Sequence, residues 1–289
     1  AVYQALGASL SHGIYNDKME KSMKSLEKDL QTGDVLLQFT TFDVFSELII
    51  KSHVSVAQSV IERLGPVAYN VLTSARASPE GGFLHDSVLK SLCEVASTYP
   101  SCLSSFPSLL PTVSHQVWLF ENLDAMARIR AFDLFALLCR QKEGKEAVLH
   151  ELGEDGVARS MKMFVLSMKT SPLELKTRTI DALSFIFKQP DDTVSESFYN
   201  TLGPKFMDEC VELARRPFQE VRVAVYELWM NLLSQPFGAN HALGTPAFIS
   251  WLIPYQGETV TDSQAWRDIA NVLLKYEGIK DAMVVRIRE

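Results

Sequence analysis

Six histidines (His12, His53, His85, His115, His150 and His241) and four cysteines (Cys93, Cys102, Cys139 and Cys210) are the groups here that could hold a metal or act as nucleophiles. Their spacing does not favour either use. There is no His-Glu-x-x-His or comparable ligand pair and no Cys-x-x-Cys, so no metal is expected. His150-Glu151 ends a short helical pattern before Gly153, where a solvent-facing or helix C-terminal partner is a simpler reading than a catalytic dyad. Gly153-Glu154-Asp155-Gly156 lacks the spaced oxygen ligands and closing glutamate of a calcium loop. Gly144-Lys145 lacks the upstream glycine and following hydroxyl of a phosphate loop, and no Gly-x-Ser-x-Gly elbow occurs. The expectation is a protein without catalysis and without a cofactor.

Charged residues, by contrast, recur regularly. Asp43, Asp133, Asp181 and Glu227 fall at one position of a repeating pattern, Arg128, Lys176 and Arg222 at a second, and Arg130 and Arg178 at a third. Equivalent residues of neighbouring helical repeats lie about 10 Å apart, farther than most cooperating carboxylates, so the acidic row reads as an exposed ladder. The basic rows suit either ion pairs with the adjacent repeat or a row that touches a partner, and both readings stay open. Trp118-x-x-x-Asn122 occurs once and is not continued by Trp229, Trp251 or Trp266, so Trp118 reads as packing.

The elements that carry these rows are helices. From Ser171 to Phe187, Leu175, Ile180, Leu183 and Ile186 make one apolar face, with Ser171 as the expected cap and Pro172 where a missing N–H costs nothing. Phe218 to Leu233 repeats the scheme with Tyr226, Trp229 and Leu232. Ser55–Leu64 and Val67–Ser74 read as two helices parted by Gly65-Pro66, and Ala1–Gly13 as a short helix or irregular lead-in. Aligning the long helices on Asp43, Val88, Asp133, Asp181, Glu227 and about Leu273 spaces the units about 45 residues apart, in the HEAT and armadillo range.

The fold expected is therefore an all-α solenoid of the HEAT/armadillo type with about six repeats. A single repeat domain over 1–289 would follow a lead-in at 1–13 with units near 14–51, 52–97, 98–139, 140–188, 189–233 and 234–276. Residues 277–289 would start a further repeat, since Glu277-Gly278-Ile279-Lys280-Asp281-Ala282-Met283 imitates Glu143-Gly144-Lys145-Glu146-Ala147.

Composition agrees with a soluble protein: 47% of residues are apolar, 22% are charged and the net charge is −7, which argues against nucleic acid or an anionic membrane as the main partner. Widely spaced cysteines read as reduced core thiols, so an intracellular protein is expected. The first residue is not methionine and the last begins a new helical pattern, so a fragment of a longer chain is expected.

Ser171-Pro172-Leu173-Glu174-Leu175-Lys176-x-Arg178-x-x-Asp181-Ala182-x-Ser184 is similar to a stretch of a known family. It is joined by Glu143–Leu149, by Pro217-Phe218-x-Glu220-Val221-Arg222-x-Ala224 and by Asn231–Phe237. In order and spacing these resemble the non-ATPase regulatory subunit 5 family of the 26S proteasome over most of residues 33 to 283, as its C-terminal portion. That resemblance implies a non-catalytic assembly chaperone of the regulatory-particle base. It would hold the C-terminal domain of one proteasomal ATPase in a groove of the long third helices and leave before the mature particle forms. It implies a cytoplasmic location, with the nucleus also open to it. Solenoid geometry then points to Arg128, Lys176, Arg178, Asp181, Arg222 and Glu227 as exposed charged contacts on those helices. A permanent repeat scaffold of the phosphatase or trafficking type is the alternative.

Overall fold

Apolar residues recurring every third or fourth position give fifteen α-helices in the computed structural model, and no strand among the described residues, which are 2–13, 17–76, 82–190, 192–253 and 259–275. The similarity of 277–283 to Glu143–Ala147 lies outside them.

The chain divides into two compact units, residues 1–112 and 113–289. The first holds α1 (Val2–Ser11), α2 (Asp17–Leu30), α3 (Val35–Lys51), α4 (Val54–Arg76) and α5 (Gly82–Thr98), and the boundary falls inside α6 (Leu109–Trp118). In α2, Met19, Met23, Leu26 and Leu30 are all buried, and in α3 so are Phe42, Phe45, Leu48 and Ile49. These are the apolar faces that the helical period marks. Asp34 caps α3, accepting from the N–H groups of Leu36 and Leu37.

The expected break at Gly65-Pro66 does not occur; α4 runs straight through it. Proline removes one hydrogen bond from a helix and crowds the previous turn, at a cost of about 3 kcal/mol. Burial of Val60, Ile61 and Leu64 before it and Ala68, Val71 and Leu72 after it offsets that cost. Gly65 has a different role, since a Cβ there would stand 3.1 Å from the ring of Phe106.

The second unit continues with α7 (Ala125–Leu138), α8 (Lys142–Thr170), α9 (Leu173–Ile186), α10 (Asp192–Asn200), α11 (Phe206–Ala214), α12 (Gln219–Leu233), α13 (Pro236–Leu243), α14 (Pro246–Leu252) and α15 (Val260–Leu273). Gly153, at φ 67°, splits α8 into two helices. The long helices α7, α9, α12 and α15 pack side by side, each against the next. Asn231 of α12 donates to the hydroxyl and the carbonyl of Ser184 on α9, and Asp181 lines one groove with Glu227, so positions rise together and these two helices run parallel. Behind them Trp229 meets Trp251 at 4.7 Å and Phe248 at 5.1 Å between ring centres. The result is an all-α solenoid of the HEAT/armadillo type.

Ser171 is not the N-cap of α9; Pro172 holds that position. Ser171 is buried and instead closes the end of α8, its N–H donating to the Ser167 carbonyl while the two hydroxyls hydrogen-bond at 2.9 Å. The turn is so tight that one serine serves the outgoing helix and leaves none for the incoming one.

Two glycines mark the tightest entries into a repeat. A Cβ on Gly144 would lie 2.2 Å from the Leu138 carbonyl oxygen, and one on Gly238 would lie 2.1 Å from that of Leu232. Gly144→Ala and Gly238→Ala should each lower stability by about 1–3 kcal/mol in urea unfolding, as overpacking does. Gly33→Ala, with nothing within 4 Å of the added carbon, should leave the midpoint unchanged or slightly raised. All four cysteines are free and buried, and burial pushes the Cys102 thiol up to about 12. Ellman's reagent should therefore react with them only when the chain is unfolded; rapid labelling of the native protein would contradict the burial.

Candidate functional site

Helix C-termini leave carbonyls without intrahelical donors, and a basic residue near the start of α7, α9 and α12 reaches back to such carbonyls. Arg128 donates through Nε to Leu123 O at 2.7 Å and through Nη2 to Glu121 O at 2.8 Å. Lys176 donates to Lys169 O at 3.2 Å, and Arg222 to Arg216 O at 3.0 Å. A basic residue at one repeat position thus ties each of α7, α9 and α12 to the turn before it. Lys176 and Arg222 are only 7% and 6% exposed, and Arg128 is half-buried, so the expectation that these three stand out on the surface is corrected. Burial holds the Lys176 ammonium below its usual range, and the nearby Arg216 adds to that.

Arg222 has a second partner that the sequence reading did not single out. Its Nε and Nη2 donate to the two carboxylate oxygens of Asp262 on α15, both at 3.0 Å, in a bidentate pair. Tyr226 and Thr259 donate their hydroxyls to the same carboxylate at 3.2 and 2.6 Å. Burial pushes the Asp262 carboxyl up, but these hydrogen bonds and the Arg222 charge outweigh it and hold the group below its ordinary value. The signal that could have found it is Thr259-x-x-Asp262, a helix-start pattern, and the Thr259 hydroxyl does accept from the Asp262 N–H at 3.1 Å.

The remaining three candidates come together on the open face. Arg178 of α9 donates to Asp133 of α7 at 3.3 Å, and both side chains are substantially exposed. Asp181 is half-buried and Glu227 exposed. Burial raises the Asp181 carboxyl, Glu227 raises it further, Arg178 draws it down and Asp133 raises it again. Asp133 is also raised, by burial, in spite of Arg178. Between α9 and α12 the surface dips into a groove of about 500 Å³ lined by Thr177, Asp181, Gln219, Glu220, Val223, Ala224 and Glu227. Asp43, the acidic residue of the first unit in the same row, is exposed.

Among the described residues no group of three or more histidines, cysteines or acids is placed to hold a metal. His150 is exposed, 3.7 Å from Glu151. Trp118 packs with its indole N–H donating to Ser160 at 2.9 Å and Arg159 over its ring at 4.4 Å. What this face carries is exposed charge around a shallow groove.

The family model described as proteasome non-ATPase 26S subunit matches residues 8–283. The chain is 25% identical over 267 residues to the 26S proteasome non-ATPase regulatory subunit 5 of Bos taurus, covering 88% of this chain and 50% of that protein. It is 24% identical over 268 residues to the Homo sapiens protein of the same name, with the same shares covered. The chain thus spans about half the length of the curated relatives it matches. Among solved structures, a designed armadillo repeat protein in complex with the peptide (KR)4 aligns with TM-score 0.57 and 12% identity, covering 86% of this chain and 98% of that one. An engineered protein aligns with TM-score 0.56 and 16% identity over 88% of this chain and 97% of its own. These structural likenesses concern the fold.

The Arg222–Asp262 pair yields a prediction for stability. Removing one member of a buried pair leaves an uncompensated charge and costs about 3–5 kcal/mol. Asp262→Ala should destabilise by that order at pH 7. The Asp262 pKa is lowered by folding, so its contribution is present above its unfolded value near 4 and lost as pH falls through the lower folded value. The gap between wild type and Asp262→Ala in urea unfolding should therefore close in acid; a constant gap from pH 7 to pH 2 would contradict the assignment.

Proposed function

Because the chain belongs to the proteasome non-ATPase 26S subunit family, we propose that it is a non-catalytic assembly chaperone of the base of the proteasome regulatory particle. It binds the C-terminal domain of one proteasomal ATPase subunit during assembly and is released before the mature 26S proteasome forms, acting in the cytoplasm. The observation that carries the reading is the family match over nearly the whole chain, joined to a face of parallel long helices whose outward charges the core does not use.

On that face Arg178, Asp181 and Glu227 make the contact. Arg128, Lys176 and Arg222 act on it indirectly, by fixing the helices that present those three to a partner. Rim charges of this kind steer the encounter and set orientation more than they add raw affinity.

The test is to titrate the chain against isolated C-terminal domains of each proteasomal ATPase, with circular dichroism confirming that it is folded. One domain should bind, and base precursors but not mature particles should carry the chain. Glu227→Lys, an exposed change that relieves repulsion with Asp181, should weaken that complex about tenfold, or about 1.4 kcal/mol, without lowering the melting temperature. Binding to none of the domains overturns the reading. Retention in mature particles would make the chain a permanent scaffold instead.

A further inference from the structure

Ion pairs tie α7 to α9 on the open face and α12 to α15 in the buried interior, while α9 and α12 set two carboxylates side by side. Asp133 of α7 meets Arg178 of α9, and Arg222 of α12 meets Asp262 of α15. Between α9 and α12 the residues that share the groove are Asp181 and Glu227, two carboxylates, with Glu220 on the same wall. The cation beside them, Arg178, is already held by Asp133, itself another acid. Like charges across adjacent helices repel, so this rung raises the free energy of the unbound protein where its neighbours lower it.

One turn before Thr177 and immediately before Gln219, both of which line the groove, the chain carries exposed apolar side chains. Leu173, Thr177 and Asp181 follow one another at four-residue intervals along one stripe of α9, as Gln219, Val223 and Glu227 do along α12. Leu173 at 40% exposed and Phe218 at 45% exposed stand at the start of these helices, while Val223 is half-buried midway. From Leu173 to Asp181 is eight residues of helix, about 12 Å at about 1.5 Å each. An extended chain covers that distance in about four residues, which returns a side chain to the same face.

We propose that the α9–α12 groove is a docking site for an extended segment of a partner protein. The segment places an apolar side chain against Leu173 and Phe218, and an arginine or lysine four residues away between Asp181 and Glu227. Complementary charge selects the cation. The two carboxylates offer acceptors to a guanidinium or ammonium group, and Val223 gives its aliphatic stem an apolar floor. The inference rests on the partner-binding reading above and names the chemistry of what that face receives.

The probes are two eight-residue peptides carrying one leucine and one arginine four residues apart, in either order, with serine and glycine elsewhere. Each is titrated to millimolar concentration while the side-chain carboxyl signals of Asp181 and Glu227 are followed by NMR. At least one peptide should give saturable shifts, and replacing its arginine by the isosteric, uncharged citrulline should weaken binding at least tenfold. Asp181→Asn with Glu227→Gln should do the same when the citrulline-sensitive peptide is followed by fluorescence anisotropy, without lowering the melting temperature, because repulsion is relieved. Leu173→Ser, an exposed change, should weaken it severalfold and provides a second variant. Shifts that do not saturate, equal binding of the citrulline peptide, or full affinity in the double variant overturns the proposal. An ATPase domain that binds wild type and the double variant equally defeats this groove and leaves the chaperone reading standing. A peptide that binds as described while no ATPase domain does so defeats that reading and leaves the groove.

Discussion

The cation near the start of α7, α9 and α12 that reaches back to the preceding turn is the contact on which the second unit depends. A helix ending in a tight turn leaves carbonyls without intrahelical donors, which must find other partners as the next helix packs beside them. Arg128, Lys176 and Arg222 answer this from the following helix, and in doing so they set how that helix leaves the turn. Their positive charge also suits the negative end of the helix they close. Once the exit is set, α7, α9, α12 and α15 can lie against one another, and the apolar faces of Leu175, Ile180 and Leu183 or of Val221, Val225 and Trp229 are covered together. Hydrophobic burial supplies most of the stabilisation; the cation decides its geometry.

The period of apolar residues was legible because it is a local property. Met19, Met23, Leu26 and Leu30, or Leu175, Ile180, Leu183 and Ile186, need only helical spacing to declare a buried face, and all eight are buried. What spacing could not give was the environment of a polar residue whose partners come from elsewhere. Lys176 and Arg222 fall off the apolar stripe, so periodicity assigns them to solvent, yet their long stems let the charged ends turn inward to carbonyls and a carboxylate. Asp262 was missed for the same reason, since its partner is 40 residues earlier in the chain. Gly65-Pro66 failed in the other direction: a local breaker signal was overruled by apolar contacts on both sides of it.

The candidate site shows the same division. That Arg178, Asp181 and Glu227 share one face follows from repeat spacing, and the structure brings them together. Which of them are paired does not follow, because a row of acids and a row of bases one turn apart can be matched in more than one way. Here Arg178 turns to the preceding helix, toward Asp133, and leaves Asp181 beside Glu227.

That choice has a physical consequence for recognition. A buried pair such as Arg222–Asp262 is shielded, its carboxylate accepting four hydrogen bonds from Arg222, Tyr226 and Thr259, so a partner gains nothing by approaching it. An open rung keeps its field directed outward, where it is screened over about 10 Å at ordinary salt but strengthened once an incoming chain excludes water. Specificity then comes from exclusion as much as attraction, because a partner with an acid at that position would meet two carboxylates at once. A solenoid built from near-identical units needs some such irregularity, since a perfectly paired ladder would present the same neutral face at each repeat. The break between α9 and α12 distinguishes one position along the stack from the next, and it does so without disturbing the buried cations that hold the helices in place.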